Sequence, residues 1–101
     1  MLRVLKLGVV LLAVVSAPAV AGNAKKDNCS DQADVLDRLI ELRLSGTFEK
    51  KAVRILTEGE EALDEGLHFA VRQYASWIYG QPRRDAEKHD RDVFMQACLE
   101  Q

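Results

Sequence analysis

Apolar residues recur at steps of three and four along most of the chain after residue 30, which is the spacing of one face of an α-helix. The most prominent such stretch covers residues 63–82 and holds four of the six aromatic residues. We expect it to be the helix around which the rest of the chain packs. Its apolar face would consist of Leu63, Leu67, Ala70, Val71, Tyr74 and Ile78.

The same periodicity before and after this stretch predicts an all-α fold. We predict a compact bundle of about four helices, over roughly residues 31–45, 48–58, 60–80 and 85–99. Phe48 in the second helix and Val93 in the last are expected to face inward with their apolar neighbours.

Capping residues set the expected helix bounds. Ser30 or Asp31 is a suitable N-cap for the first helix, after a loose polar segment over residues 22–28. Gly46 is expected just past its end, Thr47 is the next N-cap, and Asp85 is the N-cap of the last helix.

Gly66 leaves the start of the third helix open. It either lies within that helix, at a cost of about 1 kcal/mol relative to Ala, or marks a short turn before it.

The first 21 residues have the composition of a secretory signal peptide. Arg3 and Lys6 form a basic start, residues 7–15 are apolar, and Ala19 and Ala21 stand where an A-x-A cleavage site requires small residues. The apolar run is too short for a membrane span, which takes about twenty residues. We therefore expect cleavage after residue 21, a single domain over residues 22–101, a periplasmic or secreted location and no membrane span in the mature chain.

Removing that segment makes the chain more acidic. The full chain has 14 basic and 16 acidic residues. Loss of Arg3 and Lys6 leaves 12 basic residues against the same 16 acidic ones. Because nucleic-acid binding calls for a strongly basic face, we do not expect a nucleic-acid partner.

Cys29 and Cys98 are the only two cysteines and lie near opposite ends of the predicted domain. In an exported protein an even number of cysteines indicates a disulfide. Closing a loop of this length would contribute roughly 4 kcal/mol in the chain-entropy model, which matters in a domain this small. Free thiols and an intermolecular bridge are the alternatives.

Residue patterns typical of catalysis or cofactor binding are missing from the sequence. His68 and His89 have no neighbouring nucleophile and base at catalytic spacing, and no glycine-rich phosphate loop or zinc motif is present. The acidic residues between 58 and 65 lack the spacing of a calcium loop. We expect no enzymatic activity, no cofactor and no metal site.

Aromatic side chains outside the apolar stripe are the best indication of a binding surface, because Trp, Tyr and Arg dominate interface hot spots. Tyr74 and Trp77 are expected in the core. For Tyr79, burial in the core and exposure on a binding surface are equally expected. The candidate partner surface consists of Phe69, Arg72, Tyr79, Arg83 and Arg84.

Three short segments resemble a group of small exported proteobacterial proteins of unestablished function. They are LIELRLSGT at 39–47, YGQP at 79–82 and FMQAC at 94–98, with Cys29 ahead of the first. Leu44 stands where that group usually has Gln. The resemblance implies a periplasmic helical fold and adds no site. Size, helicity and a single disulfide are also similar to the HdeA-like acid-stress chaperones.

These observations favour a non-enzymatic periplasmic module that binds another periplasmic or cell-envelope protein, as an inhibitor, an immunity-type factor or an accessory subunit. The alternative is an acid-stress chaperone. That mechanism would need carboxylates whose protonation loosens the fold and exposes apolar surface.

Overall fold

The computed structural model describes the backbone of residues 2–101 and the side chains of residues 23–101. The predicted signal peptide, residues 1–21, lies outside the residues whose side chains are described. The chain is all-α, as predicted. Its helices are α1 (Leu2–Leu44), α2 (Glu49–Thr57), α3 (His68–Gly80), α4 (Arg83–Glu87) and α5 (Arg91–Leu99), with a 3-10 turn at Glu65–Leu67 before α3.

The first helix is longer than predicted. It already covers residues 23–28, where we expected loose chain, and Ser30 and Asp31 lie inside it instead of capping it. Ala24, Lys25 and Lys26 are good helix formers, so the helix continues through them without a cap.

Gly46 ends α1 as predicted. Its φ is +89°, and the Thr47 and Gly46 amides donate to the Leu42 and Arg43 carbonyls, both at 3.0 Å. These two hydrogen bonds form a Schellman motif. Thr47 is not the next N-cap, because α2 begins one residue later. Phe48 takes that position without a side-chain cap, and its own side chain is exposed instead of buried.

The predicted third and fourth helices are each interrupted. Gly66 lies in the 3-10 turn, so the alternative of a short turn before the main helix is the one observed. The predicted helix over residues 85–99 is two helices. Asp85 lies within α4, which begins after Pro82, while Asp90 caps α5 by accepting from the Asp92 amide at 2.9 Å and the Val93 amide at 3.4 Å.

The central helix of the bundle is α1, not α3 as we expected. It packs against all four other helices. Among residues 23–101, it also supplies half of the buried apolar residues. These are Cys29, Ala33, Val35, Leu36, Leu39 and Ile40, whereas α3 supplies Val71, Ala75 and Ile78. Fully burying an aliphatic side chain contributes about 1.5 to 3 kcal/mol, so the two adjacent stripes of α1 carry much of the stability.

Two apolar clusters result, one on each stripe of α1. The first joins α1 to α2 and α3, and the second joins α1 to α3 and α4. Phe94 of α5 packs against the second cluster, with its ring edge-on to Tyr74 at 6.4 Å between centroids. The clusters are formed by Val35, Leu39, Ala52, Leu56, Val71 and Ala75, and by Leu36, Ile40, Ile78 and Ala86.

The predicted disulfide is confirmed. Cys29 of α1 and Cys98 of α5 are bonded across a sequence separation of 69 residues. It matters most for α5, which has no buried residue of its own. Helix α5 is therefore fastened at its C-terminal end by a covalent bond and elsewhere by partly exposed contacts.

Candidate functional site

Several large apolar side chains are exposed on the outer surface of the bundle. On α3, Phe69, Gln73 and Trp77 recur every four residues and face solvent together. Trp77 was expected in the core but is 55% exposed, and Val93 of α5, expected to face inward, is 64% exposed. Periodicity puts Trp77 at the edge of the buried stripe of α3, and the structure leaves its side chain largely open to solvent there.

An apolar depression with two parts lies between α3 and α5, and we call it the Trp77 groove. Trp77 and Phe94 line both of its parts. Its larger part has a volume of about 550 Å³ and is open to solvent. The groove contains no charged side chain on its α3 side. Its lining consists of Gln73, Tyr74, Ser76, Trp77 and Phe94 in that part, and of Lys88, His89, Asp90, Val93 and Ala97 with Trp77 and Phe94 in the other.

A second depression, the α2–α3 groove, has a different chemistry. Its volume is about 650 Å³, and most of its lining is charged. Val53 is its apolar lining residue, and Arg72 is the lining residue that belongs to α3. The remaining lining residues are Glu49, Lys50, Arg54 and Glu58.

The five residues of the predicted partner surface do not form one patch. Phe69 and Arg72 are exposed one turn apart on α3, and Arg84 is exposed on α4. Tyr79 is half-buried, and its hydroxyl donates to the Thr47 carbonyl at 2.7 Å. Arg83 donates to the Leu44 carbonyl at 2.6 Å.

Tyr79 and Arg83 belong to a contact between the C-terminal ends of α1 and α3. Arg43 in the last turn of α1 donates to the Ile78 carbonyl in the last turn of α3, while Arg83 donates to the Leu44 carbonyl of α1. Each cation thus satisfies a carbonyl that a helix end leaves without an intrahelical partner. The Arg43 guanidinium also lies 5.3 Å from the centre of the Tyr79 ring, within range of a cation–π interaction.

Burial accounts for the titration behaviour of both tyrosines. It raises the pKa of Tyr74, whose hydroxyl donates to Gln32 Oε1 at 2.6 Å. Burial raises the pKa of Tyr79 as well, with the Arg43 charge acting in the opposite direction and the Glu49 charge in the same one. Both phenols are therefore structural groups held neutral.

An ion-pair cluster fastens the N-terminal end of α5 to α1. Arg91 Nη1 lies 2.6 Å from Asp37 Oδ2 and 2.8 Å from Asp34 Oδ1. Hydrogen bonds with Asp37, and then with Asp34, raise the pKa of Arg91 above its ordinary value. We call this contact the Arg91 clasp.

His89 lies beside the clasp and not on an open charged surface. Its Nε2 is buried, is 3.6 Å from Asp37 Oδ1 and has no hydrogen-bond partner among the described residues. Its ring is tilted against Phe94. In the sequence, His89 has only charged neighbours. Its contact with Asp37 could not be predicted from them, because the fold brings Asp37 to it from a distant part of the chain.

The described side chains contain no cluster of three His, Cys, Asp or Glu residues that could hold a metal ion. Glu61, from the acidic segment before α3, instead pairs with Arg38 at 2.9 Å. His68 is half-buried, with Nε2 2.8 Å from the Leu63 carbonyl oxygen. Within the part of the chain that was searched, no helix has the length and apolar character needed to cross a membrane.

Comparisons with protein-family models, curated proteins and solved structures found no match to this chain. Any function is therefore argued from the surfaces described above.

Proposed function

We propose that this chain is a non-enzymatic protein of the periplasm or the secreted fraction that binds another protein of the cell envelope. The observation that carries the proposal is the exposure of Trp77 beside Val93, on two adjacent helices. Large apolar side chains that remain uncovered next to one another are typical of protein contact sites, and Trp is enriched among the residues that dominate binding energy.

Export supports the envelope location. The signal-peptide features of residues 1–21 direct the chain out of the cytoplasm, and the Cys29–Cys98 disulfide fits an oxidising compartment. The role would be that of an inhibitor, an immunity-type factor or an accessory subunit. Each of these acts through a binding surface without a catalytic group of its own.

Site-specific cross-linking tests this proposal. A photo-reactive residue replaces Ser76, which is exposed and lines the Trp77 groove, and in a matched variant it replaces Glu87, which is exposed on α4 outside the groove. We expect one discrete cross-linked protein from Ser76 and none from Glu87. The Trp77→Ala change should abolish that product. Equal labelling from both positions, or a product insensitive to Trp77→Ala, would refute the proposal.

A second function, an HdeA-like acid-stress chaperone, is favoured by the attachment of α5. This helix has no buried residue, and the Arg91 clasp that fastens it depends on two ionised carboxylates. Loss of the clasp in strong acid would release α5 and uncover the part of the second apolar cluster against which Phe94 packs.

Acid exposure separates the two functions. A chaperone should bind an apolar dye and prevent aggregation of a client protein at about pH 2 to 3, where partly folded states expose apolar surface. A cooperative fold retained under those conditions, without dye binding, would eliminate the chaperone function and leave the binding function intact.

A further inference from the structure

The α2–α3 groove has a charge opposite to that of the chain as a whole. The chain carries a formal net charge of −2, yet three cations and two carboxylates line this groove. Lys51 adds a further cation on the exposed side of α2. This is a surface of net positive charge on an acidic protein, and it lies between α2 and α3.

Among residues 23–101, the cations of the groove have no ion-pair partner. Among residues 23–101, the Arg side chains that pair with carboxylates within 4.0 Å are Arg38 and Arg91. Lys50, Arg54 and Arg72 form no such pair. Their charges are therefore available to a partner without breaking an internal contact.

Apolar side chains flank the charges. Phe69 is exposed one turn before Arg72 on α3, and Phe48 is exposed immediately before Glu49 at the start of α2. Val53 lies in the groove and packs against the first apolar cluster. Aromatic residues together with Arg are the combination enriched in protein interfaces.

We propose that the α2–α3 groove is a second docking surface, which takes a segment of a partner protein in which carboxylates predominate and an apolar residue serves as anchor. Carboxylates of the segment would face Lys50, Arg54 and Arg72, because complementary charges set the register and rate of association. The apolar anchor would contact Phe69 or Val53.

The two carboxylates of the groove favour a protein over other polyanions. Glu49 and Glu58 stand among the cations and would repel the uniform negative charge of a nucleic acid or an anionic lipid surface. A polypeptide can place a neutral or basic residue opposite each of them. The groove shares no lining residue with the Trp77 groove, so this surface goes beyond the one on which the proposed function depends.

Peptide selection tests the inference. A random peptide library is selected against the purified, disulfide-bonded protein, and the enriched peptides are measured by fluorescence anisotropy. We compare the wild type, an Arg54→Glu/Arg72→Glu double variant, and Arg84→Glu as the matched control at an exposed arginine outside the groove. Circular dichroism verifies that each variant is folded, and a salt titration of wild-type binding gives a readout that needs no variant.

We expect enriched peptides with an excess of Asp and Glu next to an apolar residue. Their affinity should fall roughly tenfold or more in the double variant and change little in Arg84→Glu, because reversing a charge opposite its partner replaces attraction with repulsion. Salt should also weaken their binding to the wild type.

Three results would overturn the inference. One is the absence of enriched peptides, or enrichment of neutral or basic ones. Another is unchanged affinity in the double variant. The third is equally tight binding of phosphatidylglycerol vesicles, which would assign the groove to lipid. Peptides that lose binding in Trp77→Ala but keep it in the double variant would support the proposed function and count against this second surface.

Discussion

Arg91 Nη1 lies 2.6 Å from Asp37 Oδ2, and this contact joins the start of α5 to the C-terminal part of α1. The two residues are 54 positions apart in the chain. With Asp34 they form the clasp that holds a helix lacking buried residues of its own. The position of α5 therefore depends on electrostatics and a disulfide more than on apolar burial.

Removing the clasp should destabilise the protein moderately. We expect Arg91→Met to lower the free energy of unfolding by about 1 kcal/mol, because the side chains of Arg91, Asp34 and Asp37 are 37%, 59% and 41% exposed and solvent screens their attraction. Urea denaturation measures the change. Arg38→Met is the control, since its partners are more exposed and its effect should be smaller.

The difference in free energy of unfolding between wild type and Arg91→Met should depend on pH in a definite direction. The pKa of Arg91 is raised, so its stabilising contribution is present below its ordinary pKa and is lost only in extreme alkali. The difference in stability between wild type and Arg91→Met should therefore stay constant from neutral to mildly alkaline pH. A difference that declined over this range would show that the Arg91 charge does not account for it.

Reducing the disulfide should have a larger effect than removing the clasp. A loop of 69 residues corresponds to roughly 4 kcal/mol in the chain-entropy model. We expect the Cys29→Ser/Cys98→Ser variant to unfold at a much lower urea concentration than the wild type. Reductant should shift the wild type to the same midpoint and leave the variant unchanged. Equal midpoints for oxidised and reduced wild type would contradict this expectation.

The tyrosines should titrate late. The chain has two, and burial raises the pKa of each above 10.0, so the midpoint of each tyrosinate absorbance change in the folded protein should lie above that pH. The folded state holds both phenol protons more tightly than the unfolded chain. The free energy of unfolding is then at its full value below about pH 10 and falls as the pH rises through the folded pKa.

Single variants separate the two tyrosines. Tyr74→Phe should leave only the Tyr79 signal, and Tyr79→Phe only the Tyr74 signal. If half of the absorbance change occurred at the pKa of free tyrosine, one of the two phenols would not be buried by the fold, contrary to this expectation.

Trp77 should be accessible to solvent in the native state. Because it is the only tryptophan and is 55% exposed, iodide should quench the native fluorescence almost as strongly as that of the urea-unfolded protein. Binding of a partner in the Trp77 groove should reduce this quenching. Native fluorescence resistant to iodide would contradict the exposed position.

Much of the bundle could be predicted from the sequence because the relevant forces are local. The stripe with Leu36 and Ile40 predicts which face of α1 is buried, and Gly46 predicts where that helix ends. The disulfide followed from the two cysteines, one near each end of the predicted domain. None of these required knowledge of which helices are neighbours.

The break between α4 and α5, the exposure of Trp77 and the Arg91 clasp could not be predicted in the same way. No Gly or Pro marks the break between α4 and α5, and Asp85 and Asp90 are equally suitable caps on sequence grounds. Trp77 lies at the edge of an apolar stripe, where burial depends on whether another helix covers that edge. The Arg91 clasp joins residues more than fifty positions apart, a separation at which periodicity carries no information.

The Cys29–Cys98 bond also closes most of the described chain into a covalent ring. A protease that cuts once inside the ring, for example in the exposed turn around Gly59, produces two fragments that remain one molecule. Such a nicked chain keeps its helices side by side and does not lose either half by diffusion. Ring closure thus gives the protein tolerance to a first cut, in addition to its effect on folding stability.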